Sequence, residues 1–380
     1  MFTRSGLLIG RVFGIPIYLH PSWIFVFVLI TISLHAQFEH DHGDWSAGQH
    51  WGVGIATSVL FFASVVFHEL AHSVVARAYK IPVISITLFI FGGLARIGRE
   101  PSKAIQEFNI AIAGPIASLV LCAAFWGITL ASPESAMPGA VGLSLSKTNL
   151  VLALFNLLPG FPLDGGRIFR AIVWGITKDF ARATRIAAGS GKLIAYAMIM
   201  FGAWYALIKG QWEYGLWLVI GWFMLNAAQE SVAQIEVKET LTGLRAADVM
   251  SQEVPTIARD ISLEDYGLEA LRTGRRCHLV VSDDRLVGMM NVHTLNAVPR
   301  QDWDVTSVQA VMIPRDKILW ASPEEPLLGL LERLLAADVN QMPVVDGTEG
   351  GAHIIGMVTR DSILRVMRTR AEVGPLVAAR

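Results

Sequence analysis

The stretch "SVVFHELAHSVVARAYK", residues 64–80, places His68, Glu69 and His72 together at the end of a long apolar run. Ionisable side chains are costly in lipid and mark function where they are kept there. His68 and His72 stand at i and i+4, so two imidazoles leave one helix face and can reach a single metal ion. Glu69 lies about 100° around the same helix, near enough to take a proton from water at that ion without displacing it. Zinc suits two imidazoles plus an oxygen ligand, with one position left open. The competing reading is a pair of buried histidines with a structural or haem-binding role.

The rest of the chain is apolar enough to supply a membrane domain around that helix. Of 380 residues, 53% are hydrophobic and only 17% charged, which is not the balance of a soluble protein. Runs free of Asp, Glu, Lys and Arg occupy 12–38, 51–67, 108–133, 148–163, 193–208 and 214–229. A span needs about 20 residues: the first and third runs qualify outright, and the second does so only by including His68. The last two are shorter but rich in aromatic residues that suit the interface. The expectation is a polytopic α-helical membrane domain of about six transmembrane helices. A cleaved signal peptide is the alternative for the first run, but that run is too long for one and carries His20 and Pro21.

Basic residues set the orientation. Arg4 and Arg11 precede the first run, five Lys or Arg residues from Arg77 to Lys103 follow the second, and six from Arg167 to Lys192 follow the fourth. The loops after the first and third runs, "HDHGDW" and "SPESAMPG", hold neither residue. This pattern predicts a multi-pass protein of the cell membrane, with its amino terminus and its C-terminal domain cytoplasmic. The formal charge of −1 offers no basic surplus for a nucleic-acid partner. Cys122 falls in an apolar run and Cys277 in a polar region, so no disulfide is expected between them.

After about residue 235 the composition turns polar, which divides the chain into a membrane domain (1–235), a linker (236–247) and a soluble α+β domain (248–372). That last domain repeats itself, at about 248–300 and 310–370. "ADVMSQEVPTIARDISLEDYGLEAL" is echoed by "QAVMIPRDKILWASPEEPLLGLLERL", and "HLVVSDDRLVGMMNVHTL" by "MPVVDGTEGGAHIIGMVTRDSI". Leucines 327, 328, 330, 331, 334 and 335 recur at helical spacing and read as core. The tandem resembles a pair of CBS modules, which implies an adenine nucleotide between the repeats. The usual Ser or Thr followed three positions later by Asp is imperfect: Thr359 has its carboxylate, Asp361, one position early, and the first copy offers Asn291 and Thr294 with none. Thr359 and Asp361 are the nucleotide-binding candidates; a pairing platform without ligand is the alternative.

A third metal ligand is sought in "FNLLPGFPLDGGR", residues 155–167, the other place where polar groups interrupt an apolar run. Pro159 and Pro162 break the helix there, and irregular backbone at membrane depth is tolerated only against protein or a water-filled cavity. Asp164, in such a place, needs a cation. Its competing role is a helix cap paired with Arg167. Asn156 in the same segment can donate to an oxyanion or simply bond a neighbouring helix.

"HELAH" in one membrane helix with "NLLPGFPLDGGR" in a later one resembles the site-2 protease family of intramembrane zinc metalloproteases, in the branch that carries a CBS pair. The resemblance implies Zn2+ held by His68, His72 and Asp164, Glu69 as general base, and Asn156 assisting binding or the oxyanion. "FNIAIAGPIASL", residues 108–119, is similar to the family's Asn and Gly-Pro span, in which Gly114 and Pro115 allow close helix packing. A membrane or membrane-tethered protein substrate and a homo-oligomer, formed through the CBS pair, are implied as well. The segment "VISITLFIFGGLARI", residues 83–97, is rich in β-branched residues and predicts a membrane-associated β-hairpin. It would offer a strand edge to substrate, with Ser85, Thr87, Gly92 and Gly93 as binding candidates; an interfacial loop is the alternative. The rival function is a CBS-regulated membrane metal-ion transporter, from which Glu69 discriminates, since a pathway needs no base beside a two-histidine face.

Overall fold

The computed structural model describes residues 6–90, 92–133, 136–282, 285–346 and 353–377. Parts of the loop expected after the third apolar run (134–135), of the 83–97 segment (91) and of the turns in the two repeats (283–284, 347–352) lie outside the described residues. The chain divides into two compact units, 1–235 and 236–380.

In the first unit, β1 (Leu7–Val12) and β2 (Ile15–Leu19) form an antiparallel hairpin before α1 (Ser22–Asp41) begins. Its two turn residues, Phe13 and Gly14, both have positive φ, the backbone a two-residue hairpin turn requires. The first apolar run therefore holds a strand, β2, ahead of its span, α1. Hydropathy alone cannot tell a strand from a helix in such a run, and the Phe-Gly turn decides it.

α2 (Ala47–Ala78) opens with a capping box in which Ser46 Oγ accepts from the Gln49 amide and Gln49 Oε1 from the Ser46 amide. It leads to β3 (Val83–Phe89) and β4 (Gly92–Ile97), the expected antiparallel hairpin. β3 also pairs in parallel with β2, Tyr18 opposite Thr87, giving the order β1-β2-β3-β4. This corrects the expected edge: Ser85 and Thr87 lie on an interior strand, and the open edge of the hairpin belongs to β4.

Four helices follow: α3 (Ala104–Ala131), α4 (Met137–Asn156), α5 (Asp164–Thr177) and α6 (Phe180–Ala203), the last continuing through a π turn to Ile208. α4 begins well before the run at 148–163 and stops at Asn156, ahead of Pro159 and Pro162. α7 (Gly215–Leu241) completes the set. Among the described residues, five helices are long and apolar enough to cross a membrane: α1, α2, α3, α4 and Phe180–Ile208. The sixth expected span falls in α7, whose apolar stretch ends at Leu225 before Asn226, Gln229 and Glu230.

The second unit contains α8 (Ala246–Val249), β5 (Thr256–Ala258), α9 (Leu263–Thr273), β6 (Cys277–Ser282), β7 (Arg285–Asn291) and α10 (Val292–Leu295). Then come α11 (Val308–Val311), β8 (Ile313–Pro314), α12 (Leu327–Ala336), β9 (Gln341–Asp346), β10 (His353–Thr359) and α13 (Arg360–Val377). The two repeats exchange their leading segments. Ala246 and Val249 of α8 are buried with Leu327, Leu330 and Val344 of the second repeat, while Val308 of α11 is buried with Leu263 and Tyr266 of the first. Ile313 pairs with Met289 on β7, and Ser251 bridges Met357 on β10. The segment expected as a linker is helical as far as Leu241, a residue buried in this unit's core. Cys122 and Cys277 are both free thiols.

Candidate active site

Matched spacing on two helices builds the site. His68 and His72 lie one turn apart on α2, and Ile110, Gly114 and Ser118 recur one turn apart on α3. His72 Nδ1 donates to the Ile110 carbonyl at 2.6 Å, and His68 Nδ1 lies 2.9 Å from Ser118 Oγ. A carbonyl only accepts, so His72 carries its proton on Nδ1 and directs a lone pair from Nε2.

Asp164 is the first residue of α5, delivered by the Pro159–Pro162 turn. Leu163 before it makes no side-chain cap, and the Asp164 carboxylate reaches the imidazoles instead. Its Oδ2 lies 3.0 Å from His68 Nε2 and 3.1 Å from His72 Nε2, and the two Nε2 atoms are 3.2 Å apart. The His72–Asp164 approach sets acceptor against acceptor, which a cation between them resolves.

Gly114 tests whether the residues fit one. A Cβ at Gly114 would lie 2.2 Å from His72 Nε2 and 2.5 Å from His68 Nε2. Those separations approach a zinc–nitrogen bond, about 2.0–2.1 Å, so the missing side chain leaves room for an ion at bonding distance from both rings. Two nitrogens and one carboxylate oxygen are also a donor set that suits zinc. The residues fit Zn2+.

Glu69 is half-buried beside them, close enough to interact electrostatically with His72, His68 and Asp164. The Ala95 amide of β4 donates to its Oε2 at 3.2 Å. Gly93 approaches so closely that a Cβ there would lie 2.5 Å from Glu69 Cγ. Gly93 thus makes room for the carboxylate. Gly92 begins the same strand at φ 123°. One strand further in, Thr87 is paired on both sides, with Tyr18 and Leu94, and Ser85 is paired with Arg96 of β4. Asn156 ends α4 with its amide donating back to the Leu152 carbonyl at 3.0 Å.

Several groups here carry no signal in the sequence motifs. Ser118 is detectable only through its i+4 relation to Gly114. Glu107, fully buried at the start of α3, accepts from Arg170 of α5, with Arg167 Nε 3.9 Å away. Arg170 also lies over the rings of Phe161 and Phe180, at 4.9 and 4.6 Å. It ties the Asp164 turn to α3 and α6, and Arg167 pairs there rather than with Asp164.

A second concave site lies between the repeats of the C-terminal unit. This cleft, about 600 Å³, is lined by Asn291, Thr359, Asp361, Arg275, Arg276 and Arg360 among others. Thr359 Oγ1 accepts from the Ser362 amide at 3.0 Å, and Asn291 Oδ1 from the Thr294 amide at 2.9 Å, so equivalent positions cap the following helix in each repeat. Burial pushes the Cys277 thiol, also in the lining, up to about 12.

The profile of Peptidase family M50 matches residues 56–148 and 139–200, and that of the CBS domain matches 308–369, the second repeat. "Putative zinc metalloprotease sll0528" of Synechocystis sp. is 34% identical, with 97% of each chain covered. "Putative zinc metalloprotease Rip3" of Mycobacterium tuberculosis is 35% identical over 96% of this chain and 93% of its own length. The solved site-2 protease from Methanocaldococcus jannaschii is 30% identical, covering 60% of this chain and 95% of that one at a TM-score of 0.43.

Proposed function

The chain belongs to peptidase family M50, the site-2 proteases, with a CBS pair at its C-terminal end, and from that premise we propose how its residues cut a membrane-bound substrate. His68, His72 and Asp164 hold Zn2+, and Glu69 is the general base. The observation that carries this reading is the convergence of two imidazole nitrogens and a carboxylate oxygen within 3.0–3.2 Å beside a half-buried carboxylate.

When bound, Zn2+ supplies Lewis acidity that lets water lose a proton near neutral pH and polarises a peptide carbonyl. The chain's own groups do the rest. Ile110 and Ser118 fix the two rings so that their Nε2 atoms converge. Asp164 adds negative charge that binds the cation. Glu69 accepts the proton from water and can return it to the leaving amine. Asn156 would have to give up its bond to Leu152 before it could serve an oxyanion.

The substrate is a transmembrane or membrane-tethered protein, cut in or near its transmembrane segment. Its peptide bonds must be unwound to react, and the open edge of β4 beside Glu69 supports strand addition as the way they are held. His72 lies less than two turns from the end of α2, which keeps the path for water short. The basic residues support cytoplasmic amino terminus and CBS pair in the cell membrane. That topology counts α7 as a sixth crossing, and a reporter fused after Leu241 should read as cytoplasmic.

The domain assignment follows: protease in 1–235, CBS pair in 248–372. The CBS pair regulates activity or substrate access, with an adenine nucleotide in the cleft that Thr359 and Asn291 line. Leu271 and Leu335, 82% and 57% exposed at equivalent positions of the two repeats, support pairing with a second copy. The test is Glu69→Gln. It should keep stoichiometric zinc and leave an uncut precursor in the membrane proteome that the intact chain removes. Equal turnover by both chains would eliminate Glu69 as the base.

A further inference from the structure

Glu69 and the edge of β4 share one donor. Within the β3–β4 ladder Ala95 faces Ile86, yet its amide leaves the ladder and donates to Glu69 Oε2 at 3.2 Å. β4 ends the sheet order among the described residues, so this amide points from the strand's open side. Gly93, two residues earlier, has no side chain to push the carboxylate away; a Cβ there would lie 2.5 Å from Glu69 Cγ and 3.0 Å from its Oε1. The base therefore lies across the edge at which an extended peptide would pair. An amide has one proton, and a substrate carbonyl added to β4 in register needs the same one.

Resting on the protease reading above, we infer that the Ala95 amide is a specificity-determining group: a peptide that adds to β4 displaces Glu69 from it and thereby frees the base to serve water. Substrates long enough to engage the strand release the carboxylate. Peptides too short to reach Ala95 leave it held and react slowly. The arrangement selects extended substrates and restrains hydrolysis of small peptides that reach the metal by diffusion.

The test uses the full chain in detergent and two quenched fluorescent peptides sharing one scissile bond. One is shorter than the six-residue β4 and one longer. The bond is chosen so that wild type cuts it and Glu69→Gln does not; failure to find any such bond would remove the protease reading, and this inference with it. Ala95→Pro deletes the donor, and proline is tolerated on an open edge. Its kcat for the short peptide should rise about ten-fold. Its KM for the long one should rise about five-fold, the worth of one hydrogen bond. A fall in kcat on both peptides would mean that the amide merely positions Glu69, and would overturn the inference while leaving the protease reading intact.

A binding measurement covers the case in which Ala95→Pro does not fold. Glu69→Gln retains an acceptor for the amide and Glu69→Ala does not, and both are inactive. The long peptide should bind Glu69→Ala about five-fold more tightly than Glu69→Gln, whereas the short peptide should bind the two alike. Equal affinity of the long peptide for both would sink the competition.

Discussion

Gly114 is the residue through which the metal site can be tested without its ligands being touched. Gly114→Ala places a methyl 2.2 and 2.5 Å from Nε2 of His72 and of His68, in the space an ion needs. The variant should purify with native helicity by circular dichroism and with zinc reduced at least ten-fold by elemental analysis; full occupancy would mean that the ion sits elsewhere. Ser118→Ala removes the partner of His68 Nδ1 and should weaken zinc about 10–100-fold in a chelator competition, with Ser118→Thr recovering most of the loss. At this scale the sequence was legible where charge met apolar surroundings. His68, Glu69, His72 and Asp164 stand out because lipid excludes such groups unless they are used. Ser118 is an ordinary hydroxyl in a helix, Glu107 resembles a flanking charge, and Ala95 acts through its main chain, which no side chain announces.

The elements explain why these residues stay in place. α5 is held by the buried Glu107–Arg170 pair, and the rings of Phe161 and Phe180 flank the guanidinium. Arg170→Ala leaves a fully buried carboxylate with only the longer Arg167 contact, 3.9 Å away. The expected loss is about 3–5 kcal/mol, read as a lowered unfolding midpoint in detergent. Replacing both partners with apolar residues of similar size should restore much of it, and a double variant as unstable as the single one would show that the pair is not the cause. Helices α2 and α3 could be read from the length of their charge-free runs, and the 83–97 hairpin from its β-branched content. The hairpin's true edge could not. Which side of β3 is free depends on its parallel pairing with β2, a partner more than sixty residues away in the chain. The β1–β2 hairpin was hidden for a related reason: β2 and the following helix share one charge-free run, and β1 lies just ahead of it around Arg11. Proline at Thr87 would break an interior strand; the informative position for the edge is Ala95.

At the scale of the whole chain, two units stabilised by different physics are joined in one polypeptide. The tandem repeat was legible from its echoed segments, but the exchange of α8 and α11 between repeats was not, because each Val-Met segment matches its own copy in sequence and buries its side chains in the other. The consequence is that neither repeat has a complete core alone. His278 makes this unit sensitive to acid. It is 2% exposed, lies edge-on to Tyr266, and its Nδ1 has no hydrogen-bond partner among the described residues. Burial holds its pKa below the ordinary 6.5, with Glu269 opposing and Arg275 reinforcing that shift. Below pH 6.5 the unfolded chain therefore binds a proton that the folded unit resists. The stabilisation is complete above the unfolded value and is lost as pH falls from 6.5 toward the lower folded value. Urea unfolding of the full chain, followed by near-ultraviolet circular dichroism, should give a lower midpoint for this unit at pH 5.5 than at pH 7.5. His278→Phe keeps a ring against Tyr266 and removes the titrating nitrogen, so it should flatten that difference. A difference of the same size in the variant would assign the acid sensitivity to another group.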